Sequence, residues 1–172
     1  MIHTYGEYTK SIADGTAAEE RFMKAFVNTF PDSEVKASTV FDNKNRHIDV
    51  ICKRGNSTVT FDVKAEKKVN RSDSAASTEY TWVELLNNFG KPGWAYGKEK
   101  YLAFEWGNEF IIVEREKMLN MVNDRKLPEI NTENRNLPAY SQYQRAKYGN
   151  KDVCVLTPIA DLREISKFIL KK

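Results

Sequence analysis

The chain has 172 residues, 41% of them hydrophobic, 12% aromatic and 30% charged, with a net charge of +3, so one domain with a real core fits and two would be cramped. No apolar run approaches the ~18 residues of a membrane span and "MIHTYGEYTK" lacks a signal-peptide core, so a cytoplasmic protein is expected. Cys52 and Cys154 are too few for a disulfide framework, a zinc site or an iron–sulfur cluster, and are expected as reduced, buried thiols.

"DGTAAEERFMKAFVNTFP" (14–31) predicts an amphipathic helix, with Thr16 as N-cap and Pro31 as stop. "EVKASTVF" (34–41) predicts a first strand. "HIDVICK" (47–53) and "TVTFDVK" (58–64) are strands joined by "RGNS", and "TEYTWVELL" (78–86) fits neither helical nor strand period well. "YLAFEW" and "EFIIVE" flank Gly107-Asn108 and predict a hairpin. A short helix (114–123), a polar loop (123–138), a strand (152–158) and a closing helix (160–172) follow. This interleaving predicts a single α/β domain, residues 1–172, around a mixed sheet flanked by helices.

A two-residue turn at Gly55-Asn56, with Gly first as a type II′ turn prefers, sets the register of the second and third strands. Cys52 then faces Val59, Val50 faces Phe61 and Ile48 faces Val63, an apolar side. On the other side Ile51 faces Thr60, Asp49 faces Asp62 and His47 faces Lys64. Directly opposed carboxylates repel unless they share a proton or hold a cation. Oxygen ligands at fixed separation suit Mg²⁺ or Mn²⁺. Lys64, on the same face as Asp62, could orient a water or neutralise developing negative charge. The competing structural explanation is a surface strand with scattered charges and another turn.

"HIDVICKRGNSTVTFDVKAEKK" resembles the core motif of the PD-(D/E)XK nuclease superfamily: an acid on one strand, a short turn, then Asp/Glu-x-Lys on its antiparallel neighbour. Asp49 takes the first position and Asp62-Val63-Lys64 the second, while Ile48 stands where a proline is common. The resemblance implies a restriction-endonuclease-like fold and Mg²⁺-dependent (or Mn²⁺-dependent) endonuclease activity on DNA. Asp49, Asp62 and the carbonyl of Val63 would be metal ligands, and Lys64 would act on the attacking water. A second frame, Glu66-Lys67-Lys68, falls past the apolar alternation. Small Holliday-junction resolvases and phage nucleases of the superfamily are similar in size, which implies a structure-selective enzyme acting on branched or broken DNA. A homodimer is left open.

The superfamily also tends to carry a glutamate in the preceding helix. On a helical wheel Glu19 falls inside the stripe of Phe22, Met23, Phe26 and Phe30, and Glu20 at its edge. Glu19 is therefore the candidate and Glu20 the reserve. The structural alternative is a capping box, Thr16-x-x-Glu19.

Basic residues gather in "KAEKKVNR" (64–71) and "QRAKYGNK" (144–151). Lys67, Lys68, Arg71, Arg145, Lys147 and Lys151 are the candidate DNA contacts. The loop "FGKPGWAYGK" (89–98) mixes Phe89, Trp94 and Tyr96 with two lysines and could stack on unpaired bases or tuck onto the core. No phosphate loop, dinucleotide fingerprint or serine elbow is present. The rival reading is a non-catalytic nucleic-acid-binding domain; a third is an interaction protein using the aromatic loop.

Overall fold

The computed structural model of the chain describes residues 5–70, 72–133, 135–145 and 149–172. In chain order its elements are α1 (Tyr5–Thr29), β1 (Glu34–Ala37), α2 (Val40–Arg46), β2 (Val50–Arg54), β3 (Ser57–Lys64), β4 (Tyr80–Leu86), a 3-10 turn (Trp94–Tyr96), β5 (Tyr101–Trp106), β6 (Glu109–Glu114), α3 (Arg115–Arg125), β7 (Ile130–Asn131), β8 (Gln142–Gln144), β9 (Val153–Pro158), α4 (Ile159–Glu164) and β10 (Ser166–Lys171). The architecture is α/β, with two mixed sheets flanked by helices. The chain divides into two compact units: Met1–Ala65 with Glu99–Ile112 and Phe168–Lys172, and Glu66–Lys98 with Val113–Lys167.

The first unit carries, but for the ends of β6 and β10, a six-stranded sheet in the order β1-β2-β3-β5-β6-β10. β1, β2 and β3 are antiparallel neighbours, and β3 pairs in parallel with β5. α1 lays its apolar stripe on this sheet. Phe22 is fully buried, its ring centroid 5.0 Å from Phe61 and 5.4 Å from Phe110. Ala18, Ala25 and Phe26 join it against Val50, Cys52, Val63 and Leu170. Removing one such ring typically costs about 3–5 kcal/mol. Opposite ends of the chain are tied to β5: Arg21 forms a fork on Glu105 at 2.6 and 2.9 Å, and the Lys172 ammonium lies 2.6 Å from the same carboxylate. Burial would raise the Glu105 carboxyl, but these bonds hold it below its usual range.

The second unit holds a four-stranded sheet, β4-β9-β8-β7. The ambiguous segment 78–86 is its strand β4, alternately buried and half-buried. Gly93 is required there, because a Cβ would stand 2.6 Å from the Glu84 carbonyl oxygen.

Several sequence expectations need correction, among them the polar loop over 123–138, which holds the short strand β7. α1 begins before Asp14, so Thr16 lies inside the helix and is not its N-cap. Gly15 costs about 1 kcal/mol relative to alanine, too little to stop a helix that gains one bond per added residue. The strand expected over 34–41 ends at Ala37, because Thr39 caps a new helix by accepting from the Asp42 N–H. The closing helix stops at Glu164, and β10 follows. Leu162, Ile165 and Ile169 mimic helical spacing, but Phe168 and Leu170 alternate toward the core beside β6.

Candidate active site

Gly55 takes φ 57, as the first position of a type II′ turn requires. The turn locks β2 against β3 with Arg54 opposite Ser57, Cys52 opposite Val59 and Val50 opposite Phe61, the expected register. The apolar side is dry, with Val50, Cys52, Phe61 and Val63 at 5% exposure or less.

Beyond Val50 the ladder changes. The Asp49 N–H donates to the Phe61 carbonyl at 2.8 Å, one residue out of step with the register. His47 is not on the strand at all. It is the left-handed C-cap of α2 (φ 56), its N–H donating to the Asn43 carbonyl at 3.2 Å while the Ile48 N–H donates to the Asp42 carbonyl at 3.3 Å. Burial and the Lys64 charge lower the His47 imidazole pKa, against the pull of Asp49. The facing pair of aspartates is therefore built differently from a flat cross-strand pair. The Asp49 carboxylate leans onto β3, Oδ2 accepting from the Val63 N–H at 2.8 Å. Its other oxygen, Oδ1, accepts from the Asn43 side-chain amide at 2.6 Å. Ser38 adds a bond from its hydroxyl to the Ile48 carbonyl.

Asp62 is 1% exposed. The Lys64 ammonium lies 2.6 Å from its Oδ1, while Oδ2 is buried with no partner among the described residues. Burial pushes the Asp62 carboxyl well above its usual range; Lys64 opposes the shift, and the charge and proximity of Asp49 reinforce it.

Glu19 reaches this region from α1. It is half-buried, whereas Glu20 is exposed. Burial first, then the Asp49 charge, raises the Glu19 carboxyl to about 7, with Lys64 opposing and Glu20 adding. With Thr16 inside the helix, no capping box accounts for a carboxyl turned this way.

Among the described residues no group of three or more His, Cys, Asp or Glu side chains is gathered to hold a metal ion. Glu19 therefore stands near the aspartates without completing a three-ligand cluster. Two carboxylates nevertheless suffice for Mg²⁺, which keeps several waters and takes substrate phosphate as a ligand. A buried, unpartnered carboxylate oxygen beside a second acid fits that requirement.

The remaining candidates lie in the second unit. Glu66, Lys67 and Lys68 are exposed beyond the end of β3, so the second Glu-x-Lys frame is off the strand. Arg145 is half-buried and engaged by Asp152 at 3.3 Å and Asn88 at 3.2 Å. Lys151 is exposed, its stem against Gly90. Arg71 and Lys147 lie outside the described residues. In the aromatic loop Ala95 is buried and Trp94 half-buried, while Phe89 projects at 81% exposure.

Sequence reading missed Asn43. Its signal was Thr39-Val40-Phe41-Asp42, a cap followed by an acid in the first helical turn, which places Asn43 on a helix entering the site.

Compared with protein-family models, with curated proteins and with solved structures, the chain matches none of them. The site itself defines a buried acid pair on a β-hairpin, with an ammonium on one acid and an amide on the other.

Proposed function

We propose that this chain is a metal-dependent nuclease of the PD-(D/E)XK type, with a restriction-endonuclease-like core, hydrolysing DNA phosphodiester bonds. The observation that carries the reading is the Asp62 carboxylate: buried, ion-paired with Lys64 through one oxygen and unpartnered at the other, next to Asp49. A structural ion pair has no use for an orphaned buried oxygen, which is costly to keep away from water. A site that takes a cation does.

Asp49 and Asp62 would hold Mg²⁺ or Mn²⁺, with the Val63 carbonyl as a further ligand. When bound, the ion supplies Lewis-acid polarisation of the phosphoryl oxygen and lowers the pKa of a water. The chain's own groups do the rest. The Val63 N–H and Asn43 fix the aim of Asp49. Lys64, its side chain 21% exposed, orients the attacking water and offsets charge developing on the phosphate. Glu19, titrating near neutrality, can hold or release a proton at the edge of the pair. A branched or broken DNA substrate suits a chain of this size.

A non-catalytic nucleic-acid-binding domain is the second reading, and the absence of a three-ligand cluster among the described residues favours it. Calorimetric titration with Mn²⁺ tests the site. Wild type should bind, and Asp49→Ala and Asp62→Ala should each lose most of the affinity. Equal affinity in all three proteins would remove the metal from this hairpin.

A further inference from the structure

The hairpin has two faces, and the reading above uses only one end of the outer one. The rows Val35–Cys52–Val59 and Ala37–Val50–Phe61 turn toward α1. By alternation the rows between them, Glu34–Lys53–Thr58 and Lys36–Ile51–Thr60, turn away. Asp62 follows Thr60 on that same outward side. The face therefore reads, toward the acids, as a Lys53 row, then a Lys36 row, then the carboxylates. Lys53 on β2 and Lys36 on β1 are diagonal neighbours, one strand over and two residues along, which spaces them about 7–8 Å apart. That step is comparable with the separation of successive phosphates on an extended nucleic-acid strand.

Charge pairing separates these lysines from three of the basic residues nearby. Lys64 is bound to Asp62, Arg21 to Glu105 and Arg46 to Asp42. Lys36 and Lys53 are exposed and make no ion pair among the described residues, although Glu34 stands directly opposite Lys53 in the ladder. Together with Glu34, Ile51 and Thr58 they line a shallow depression of about 110 Å³. β1 is the edge of the sheet, so the depression opens sideways as well as outward. Two ammonium groups and a threonine hydroxyl are groups that meet phosphate oxygens.

We propose that the outer face of the β1–β2–β3 ribbon is a phosphate track, on which Lys53 and Lys36 take successive backbone phosphates of a nucleic-acid strand and lead it toward Asp49 and Asp62. The proposal rests on the phosphodiesterase reading for its direction, but its binding test does not depend on cleavage. Glu34 opposes the same polyanion, which gives the track a residue of opposite sign.

The test is fluorescence anisotropy with a short labelled single strand and the same sequence as a duplex, in EDTA, across a range of salt. Lys36→Gln and Lys53→Gln should each weaken binding. Each should also flatten the plot of log affinity against log salt by about 0.7 for single strands or about 0.9 for duplex. Glu34→Gln should tighten binding, and Lys117→Gln, on α3, should change neither quantity. Failure of wild type to bind, or unchanged slopes in both lysine variants, would overturn the track. Lysine-dependent binding without cutting in added Mg²⁺ would keep the track and remove the nuclease. Cutting with unchanged slopes would do the reverse.

Discussion

The Lys64 ammonium sits 2.6 Å from one oxygen of Asp62, and the other oxygen of that buried carboxylate has no partner among the described residues. The pair is lopsided: the lysine is partly open to solvent, the acid closed off. Removing either member should therefore have unlike consequences.

Asp62→Asn removes a buried charge and the repulsion from Asp49, leaving Lys64 able to reach water. In metal-free buffer its melting temperature should equal or exceed that of wild type. Lys64→Ala instead strands the carboxylate without its counter-charge and should lower stability by roughly 3 kcal/mol. Urea unfolding of both variants in EDTA checks the order. An Asp62→Asn protein less stable than Lys64→Ala would mean that the acid serves as a structural anchor.

Asn43 gives a second test. Asn43→Ala leaves Asp49 Oδ1 without its 2.6 Å donor and should cost about 1–3 kcal/mol in stability. Mn²⁺ affinity should fall with it, since Asp49 loses half of what fixes its aim. Asn43→Ser, which keeps a donor, should recover less than the full loss, because its shorter side chain does not reach as far. Unchanged Mn²⁺ affinity in the alanine variant would release Asn43 from any positioning role.

The hairpin was legible because its signals are local: a Gly-Asn turn and strict alternation, where a slip of one residue would bury charge. Glu19 was legible for a similar reason, as the helical period put it among Phe22, Met23 and Phe26. The surroundings of Asp49 were not. Val40 and Phe41 carry strand propensity yet begin α2, because the Thr39 cap and the left-handed His47 close a short helix around them. Local capping overrides the propensity of two residues there, and with it went the positions of Asn43 and His47. The C-terminal strand was hidden by a coincidence of spacing, since only the free edge of β6 makes Phe168 and Leu170 the inward pair.

Glu19 makes a pH prediction with a definite sign. Its carboxyl is raised from 4.5 to about 7 in the fold, so between those values the folded chain binds more protons than the unfolded one. Stability linked to Glu19 is thus fully present below about pH 4.5 and lost as pH rises through about 7. Glu19→Gln should flatten that decline in metal-free buffer. Asp62, raised in the same direction, should leave a residual slope that only the double variant with Asp62→Asn removes. Denaturant midpoints taken in small pH steps would show it, and identical profiles for wild type and Glu19→Gln would place Glu19 in ordinary solvent.

The central claim is that Lys64 and the two aspartates cut a phosphodiester bond. The direct measurement is single-turnover cleavage of linear, nicked, branched and single-stranded DNA in Mg²⁺ or Mn²⁺, by wild type and Lys64→Ala at saturating protein. Wild type should cut at least one of these substrates, EDTA should stop it, and Lys64→Ala should bind that substrate as before while cutting it at least about a hundredfold more slowly. No metal-dependent cutting of any substrate by wild type, or an undiminished rate in Lys64→Ala, would contradict the account.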